Sequence, residues 1–180
     1  SLQLRSGGLS YWPGQQSPYV WGTSYAAETL LQAQEHGYEV DARLINGLRK
    51  FLERELNNSQ NRVLGTKAAI CCCLSEAGSP PTGWMAVLSE QLEDLDMAAR
   101  ANLALAWWRA GRRDEALAAI PEETIDLVSV AAYGDRPSSA VVDQARLLAA
   151  LVEIDASHEW IPILVGRIQS ARKNGVWLST

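Results

Sequence analysis

Apolar residues return at three- and four-residue intervals along most of this chain, and the pattern is interrupted at Gly, Pro, Asn and Asp, so it reads as a series of helices joined by short turns. Tyr25, Ala26, Leu30, Leu31 and Ala33 mark a first helix, with Thr23 or Ser24 placed to cap its start and Gly37 to end it. Asp41 is placed to cap a second, in which Leu44, Ile45, Leu48, Phe51, Leu52 and Leu56 form one stripe and Arg49, Glu53 and Glu55 cover the rest. A third, 60–76, is apolar nearly all round through Val63, Leu64, Ala68, Ala69, Ile70, Cys71, Cys72, Cys73 and Leu74, the pattern of a central helix. Gly78-Ser79-Pro80-Pro81 stops it, and Thr82 is expected to cap a shorter helix carrying Trp84, Met85, Val87, Leu88 and Leu92.

The stretch 96–110 is rich in small side chains, which let neighbouring helices approach closely, and Gly111 closes it. A short helix at 114–120 ends at Pro121, and 123–137 has no clear period and reads as irregular. Ser138 or Ser139 then starts a long helix with Val142, Ala145, Leu148, Ala149, Leu151, Val152 and Ile154. Ser157 is expected to cap the last, which contains Pro162, Ile163, Leu164, Ile168 and Ala171. Seven or eight helices result, with no period-2 alternation, so the predicted class is all-α, built from antiparallel helix hairpins.

Composition narrows the function classes. The 180 residues are 47% hydrophobic and 21% charged, which suits one helical domain spanning 1–180. A net charge of -5, with no basic cluster, leaves no electrostatic footprint for nucleic acid. No apolar run is long enough to span a bilayer, and the start of the chain lacks the charged-then-apolar pattern of a signal peptide. The three cysteines are consecutive, about 100° apart around a helix, and read as buried core residues.

The punctuation itself is patterned. Gly7-Gly8-Leu9-Ser10-Tyr11-Trp12 precedes the first helix, and a variant returns as Gly175-Val176-Trp177-Leu178-Ser179-Thr180. Both sit after an apolar residue, Gln and a basic residue, between one helix end and the next start. The glycines permit a tight turn, and Trp12 and Trp177 are expected to plug the gap between helix ends. Trp21, beside the polar loop Gly14-Gln15-Gln16-Ser17-Pro18, is the candidate for an exposed interaction surface, for carbohydrate or a partner domain.

These stretches carry a family resemblance. Gly7 to Gly14, then Tyr25-Ala26-Ala27-Glu28-Thr29-Leu30-Leu31-Gln32-Ala33 leading to Gly37-Tyr38, and Ala171 to Thr180 resemble, in order, the thioester-containing domain of the alpha-2-macroglobulin and complement family in its bacterial form. Gly7, Gly8, Tyr11, Trp12, Gly175, Trp177, Ser179 and Thr180 are its structural signature here. The resemblance implies an incomplete α/α toroid, like those of terpenoid cyclases and protein prenyltransferases. It implies a non-catalytic role without cofactors, inside an exported parent of the periplasm or cell envelope. The implied partners are neighbouring β-sandwich domains and, through the whole protein, the proteases it traps in host-defence-like protection. In the family a Cys-Gly-Glu-Gln type motif forms an internal thioester. That motif is absent here, since Leu74-Ser75-Glu76 follow the cysteines.

Catalytic constellations are not visible in the sequence. Asp94-Leu95-Asp96 could hold a divalent cation on a diphosphate, but Asp96 fits a helix cap better. His36 suits a helix C-terminus and His158 a first helical turn, without ligand spacing around either. Two other readings remain: a toroidal terpenoid-type or polysaccharide-active enzyme, which requires carboxylates converging in the centre, and a tetratricopeptide-like scaffold, which requires an open superhelix.

Overall fold

The computed structural model describes residues 2–60, 63–121 and 140–172. Eight α-helices are present among them: α1 (Val20–Glu35), α2 (Ala42–Leu56), α3 (Leu64–Glu76), α4 (Thr82–Ser89), α5 (Met97–Arg109), α6 (Arg113–Ala119), α7 (Ala140–Ile154) and α8 (Trp160–Ser170), with a 3-10 turn at Leu92–Asp94. The one β contact among the described residues is an isolated antiparallel bridge between Gln3 and Leu9. The expected irregular stretch 123–137, the Ser138 or Ser139 start, and Gly175, Trp177, Ser179 and Thr180 lie outside the described residues.

The odd helices form an inner row, α1 against α3, α3 against α5, α5 against α7, and the even helices lie outside: α2 on α1 and α3, α4 on α3 and α5, α6 on α5, α8 on α7. This is the arrangement of an α/α toroid built from helix hairpins. The inner row is dense because its central members are nearly apolar all round. Ala98, Ala99, Ala101, Leu103, Ala104, Leu105 and Ala106 of α5 are all buried, as are Ala68, Ile70, Cys71, Cys72, Cys73 and Leu74 of α3. The alanines let these two helices meet closely.

The ends of the inner helices repeat one chemical solution. α1, α3 and α5 each finish at a glycine of positive φ (Gly37 at 85°, Gly78 at 73°, Gly111 at 74°). At each, the next amide reaches back to a carbonyl five residues earlier: Tyr38 N to Ala33 O, Ser79 N to Leu74 O, Arg112 N to Trp107 O. Asp41 and Asp96 cap α2 and α5, accepting from Arg43 N and Ala99 N at 2.8 Å each. The second carboxylate of the Asp-x-Asp pair is thus a helix cap.

Three expected starts are displaced. α1 begins at Val20 instead of Thr23, because the opening loop is bonded to it: Tyr19 N donates to Leu9 O at 2.7 Å, and Thr23 Oγ1 accepts from Leu9 N at 2.9 Å. Thr82 is the first residue of α4 and Pro81 its cap position, with no side-chain cap bond. Ser157 folds onto Asp155 Oδ1 through its own amide (3.1 Å) and hydroxyl (2.6 Å). α8 starts later, where Trp160 N donates to His158 Nδ1 at 3.2 Å.

A polar pin joins three helices on the outer side. The buried Lys67 donates Nζ to Leu56 O at 2.8 Å, at the negative end of α2, and lies 3.7 Å above the Trp84 ring. Trp84 Nε1 in turn donates to Asn57 Oδ1 at 3.0 Å. Burial pulls the Lys67 amine below its usual range, opposed by Cys71.

Candidate functional site: an aromatic shelf and a buried charge cluster

The Gly7-Gly8 turn meets α2. Gly7 has φ 90°, and a Cβ there would strike the carbonyl oxygen of Gly47. A Cβ on Gly8 would lie 2.8 Å from the Phe51 ring. The glycines are needed because α2 passes directly beneath, and Phe51, from α2, is the plug under the turn. This corrects the expectation for Trp12, which is 62% exposed. The chain turns outward there, with Trp12 N donating to Gln15 Oε1 at 3.2 Å and Gln15 N to Trp12 O at 3.3 Å. With Phe51 already filling the space below Gly8, the indole has no interior gap to enter.

Trp12 instead joins a line of five rings. Tyr11 meets Trp12 edge-on at 5.0 Å and Tyr19 edge-on at 5.4 Å, Tyr19 leans on Trp21 at 6.0 Å, and Trp21 stacks on Tyr25 at 5.6 Å with 7° between planes. Tyr11 and Tyr25 are 58% and 62% exposed. Trp21 itself is half-buried, held between Tyr19 and Tyr25. The sequence singled out Trp21 as exposed and Trp12 as covered; Trp12 is the more exposed of the two.

The second constellation lies inside the inner row and was not anticipated. Glu28 of α1 accepts from Arg146 Nη2 of α7 through both oxygens, at 2.8 and 3.1 Å, and from Arg109 Nη1 of α5 at 3.3 Å. Arg109 also pairs with Glu76 of α3, and forks onto Glu153 of α7 through Nε and Nη2, 3.1 Å each. Arg146 Nε bonds Asn102 Oδ1. At the centre is Cys72, whose Sγ lies 3.2 Å from Arg109 Nη1, 3.1 Å from Arg146 Nη2 and 3.7 Å from Glu28 Oε1. All four inner helices contribute, and Glu28 and Arg146 are 118 residues apart.

Burial is the largest single influence on Cys72, Glu76, Arg109 and Arg146. It raises the Cys72 thiol to about 12, with Glu28 adding to the shift and the two arginines opposing it. The thiol is therefore neutral at physiological pH and acts as a packed polar atom. Cys71 is likewise raised to about 12 and Cys73 is raised, both chiefly by burial. Burial raises Glu76 above the usual carboxylate range, with Arg109 pulling the other way. Its Oε2 is buried and meets Arg109 Nη1 directly. Against the cost of burial, Glu153 and Glu76 hold Arg109 charged, and Glu28 does the same for Arg146.

The carboxylates that lie in the interior are Glu28 and Glu76, both bound by guanidinium groups, and Glu153 joins Arg109 from the exposed side of α7. Asp94 is exposed in the 3-10 turn and Asp96 caps α5. His36 bonds Gln32 O through Nδ1 at 2.8 Å, at the end of α1. Among the described residues, no group of three or more His, Cys, Asp and Glu is arranged to hold a metal ion, and no helix is long and apolar enough to cross a membrane. The cluster was hard to read in sequence because its members lie on four helices. The available signal was a Glu, a Cys and two Arg placed on otherwise apolar faces of inner helices.

An arc of an α/α toroid, its inner row tied by buried ion pairs, is the class of protein that fold and site define. No family model matches the chain. It is 24% identical, over 98% of its length, to an alpha-2-macroglobulin homolog of Nostoc sp., and spans only 10% of that protein. The fold matches trypsin-activated alpha-2-macroglobulin from Escherichia coli (TM-score 0.82, 21% identity, 99% of this chain and 13% of that one). It also matches a Salmonella alpha-2-macroglobulin mutant (TM-score 0.84, 21% identity, 99% and 12%). These likenesses agree with the resemblance read from the Gly-Trp turn and helix pairs: along nearly its whole length the chain is similar to one segment of much longer alpha-2-macroglobulins and shares the fold of that segment.

Proposed function

We propose that this chain is a non-catalytic helical domain, most of a thioester-type toroid, of a bacterial alpha-2-macroglobulin-like protein, and that its parent traps proteases in the periplasm or cell envelope. The observation that carries the reading is the full-length match to a segment of an Escherichia coli protein captured in a trypsin-activated state. In this reading the domain's work is binding and movement. The aromatic shelf of Tyr11, Trp12, Trp21 and Tyr25 docks against a neighbouring β-sandwich domain of the parent, and that contact shifts when a protease cuts the parent. Exposed stacked aromatics suit such a face, since each ring buries a large apolar area at little entropic cost.

The test is made on the full-length parent. Incubated with trypsin and passed through a size-exclusion column, the parent retains protease activity in its own fraction, and the 180-residue chain alone neither retains nor inhibits it. A parent that lets trypsin elute freely sinks the proposal. Trp12→Ala with Tyr25→Ala in the parent is expected to increase proteolytic nicking between domains before activation, and unchanged nicking removes the shelf from the docking role. The enzyme reading has less support, because every interior carboxylate described above is paired with an arginine.

A further inference from the structure

In a row of helix hairpins each unit touches only its neighbours, so the two ends can open one at a time. The inner row obeys this in its packing: α1 lies on α3, α3 on α5 and α5 on α7, and α1 shares no extended packing with α5 or α7. The buried side chains do not obey it. Glu28 of α1 accepts from Arg146 Nη2 of α7 through both oxygens, at 2.8 and 3.1 Å, and its Oε1 also accepts from Arg109 Nη1 of α5 at 3.3 Å. Asn102 of α5 holds Nε of the same Arg146, and Cys72 of α3 lies within 3.2 Å of both guanidinium groups. The first inner helix is thus bonded to the third and the fourth through one buried carboxylate, over separations of 81 and 118 residues.

We propose that Glu28 couples the first and last hairpins, so that the α1/α2 and α7/α8 pairs open together and not independently. The reason is the cost of stranding a charge. If α7 alone moves away, Glu28 stays inside and loses its two-oxygen partner; if α1 alone moves away, Arg146 stays against α5 and loses its carboxylate. Breaking a buried pair in this way costs far more than parting two solvated ions, whereas opening both ends brings both ions into water. Tyr25 of the aromatic shelf precedes Glu28 by three residues on the same helix. A displacement of the shelf is therefore delivered at the carboxylate, one turn along α1, and through it to α7. That use in the parent rests on the docking role proposed above; the coupling itself is a property of the chain alone.

Hydrogen exchange followed by mass spectrometry on the 180-residue chain reads the coupling. In Glu28→Gln, protection is expected to fall several-fold in peptides from both 20–35 and 140–154, and by less in 82–89, the outer helix α4, which has no member in the cluster. Arg146→Lys, at the other end, is expected to give the same pair of losses, because coupling is reciprocal. A loss confined to the substituted helix and the helices packed on it, or one at 82–89 as large as at the far end, overturns the proposal. Should neither variant fold, exchange of the unsubstituted chain in graded urea decides. The slowest amides of 20–35 and 140–154 sharing one opening free energy and one urea slope support the coupling, and two separate openings overturn it. Either outcome leaves the trypsin-retention and nicking tests of the parent to be decided on their own.

Discussion

The aromatic shelf and the charge cluster invert the usual distribution of side chains, and they do so for different reasons. In the cluster, charges are inside because each meets an opposite charge from another helix, Glu28 with Arg146 and Arg109, Arg109 with Glu153 and Glu76. On the shelf, Tyr11 and Trp12 are outside because the space under the Gly7-Gly8 turn already holds Phe51, and Tyr25 stands on the exposed side of α1, stacked on Trp21. The first arrangement pairs its buried acids, Glu28 and Glu76, with Arg109 and Arg146 inside the chain. The second leaves a large apolar face in water, which isolated folding does not require. Stability should therefore depend strongly on the cluster and weakly on the shelf, and docking should show the reverse.

The largest effect separating the two is expected from breaking a buried pair. Arg146→Ala leaves Glu28 buried without its bidentate partner, and should lower unfolding free energy by about 3–5 kcal/mol in a urea titration. A loss below about 1 kcal/mol would make the cluster a solvated surface feature. Next is the turn that carries the shelf: Gly7→Ala combines positive φ with a clash against Gly47 O, and is expected to cost about 2–4 kcal/mol. Gly14→Ala has nearly the same φ, 89°, with nothing nearby, so it isolates the backbone strain and should cost only about 1 kcal/mol. Equal losses at the two glycines would mean that α2 can shift away from the turn.

Asp96→Ala removes the cap on α5 without touching either region, and thermal melts should show a loss of about 1 kcal/mol. The smallest effect is reserved for the shelf. Trp12→Ala in the isolated chain should change stability by under about 0.5 kcal/mol, since the ring is mostly exposed and lies at a turn. A loss of 2 kcal/mol or more would show that the shelf is a satellite core, and the contrast with the cluster would fail.

Much of the architecture was legible from the chain because it rests on local physics. Period-3.6 stripes marked α2 and α7, the nearly all-apolar run marked α3 as central, and Asp41, Asp96, Gly37 and Gly111 were read correctly as caps and ends. The order of these elements with the Gly-Trp turn was enough to identify the family resemblance. Helix starts were read less well at Thr23, Thr82 and Ser157, since Leu9, Pro81 and Asp155 supplied the competing bonds or geometry there.

Composition and spacing thus determined that the chain is all-α, that its helices pair, and which of them lies at the centre. Tertiary structure alone decided that Phe51 and not Trp12 fills the turn, because the occupant of a gap depends on which neighbouring helix reaches it first. It also decided that Glu28, Cys72, Arg109 and Arg146 form one site. Their shared environment comes from four helices meeting in space, and no periodicity within any one helix encodes the charges carried by the other three.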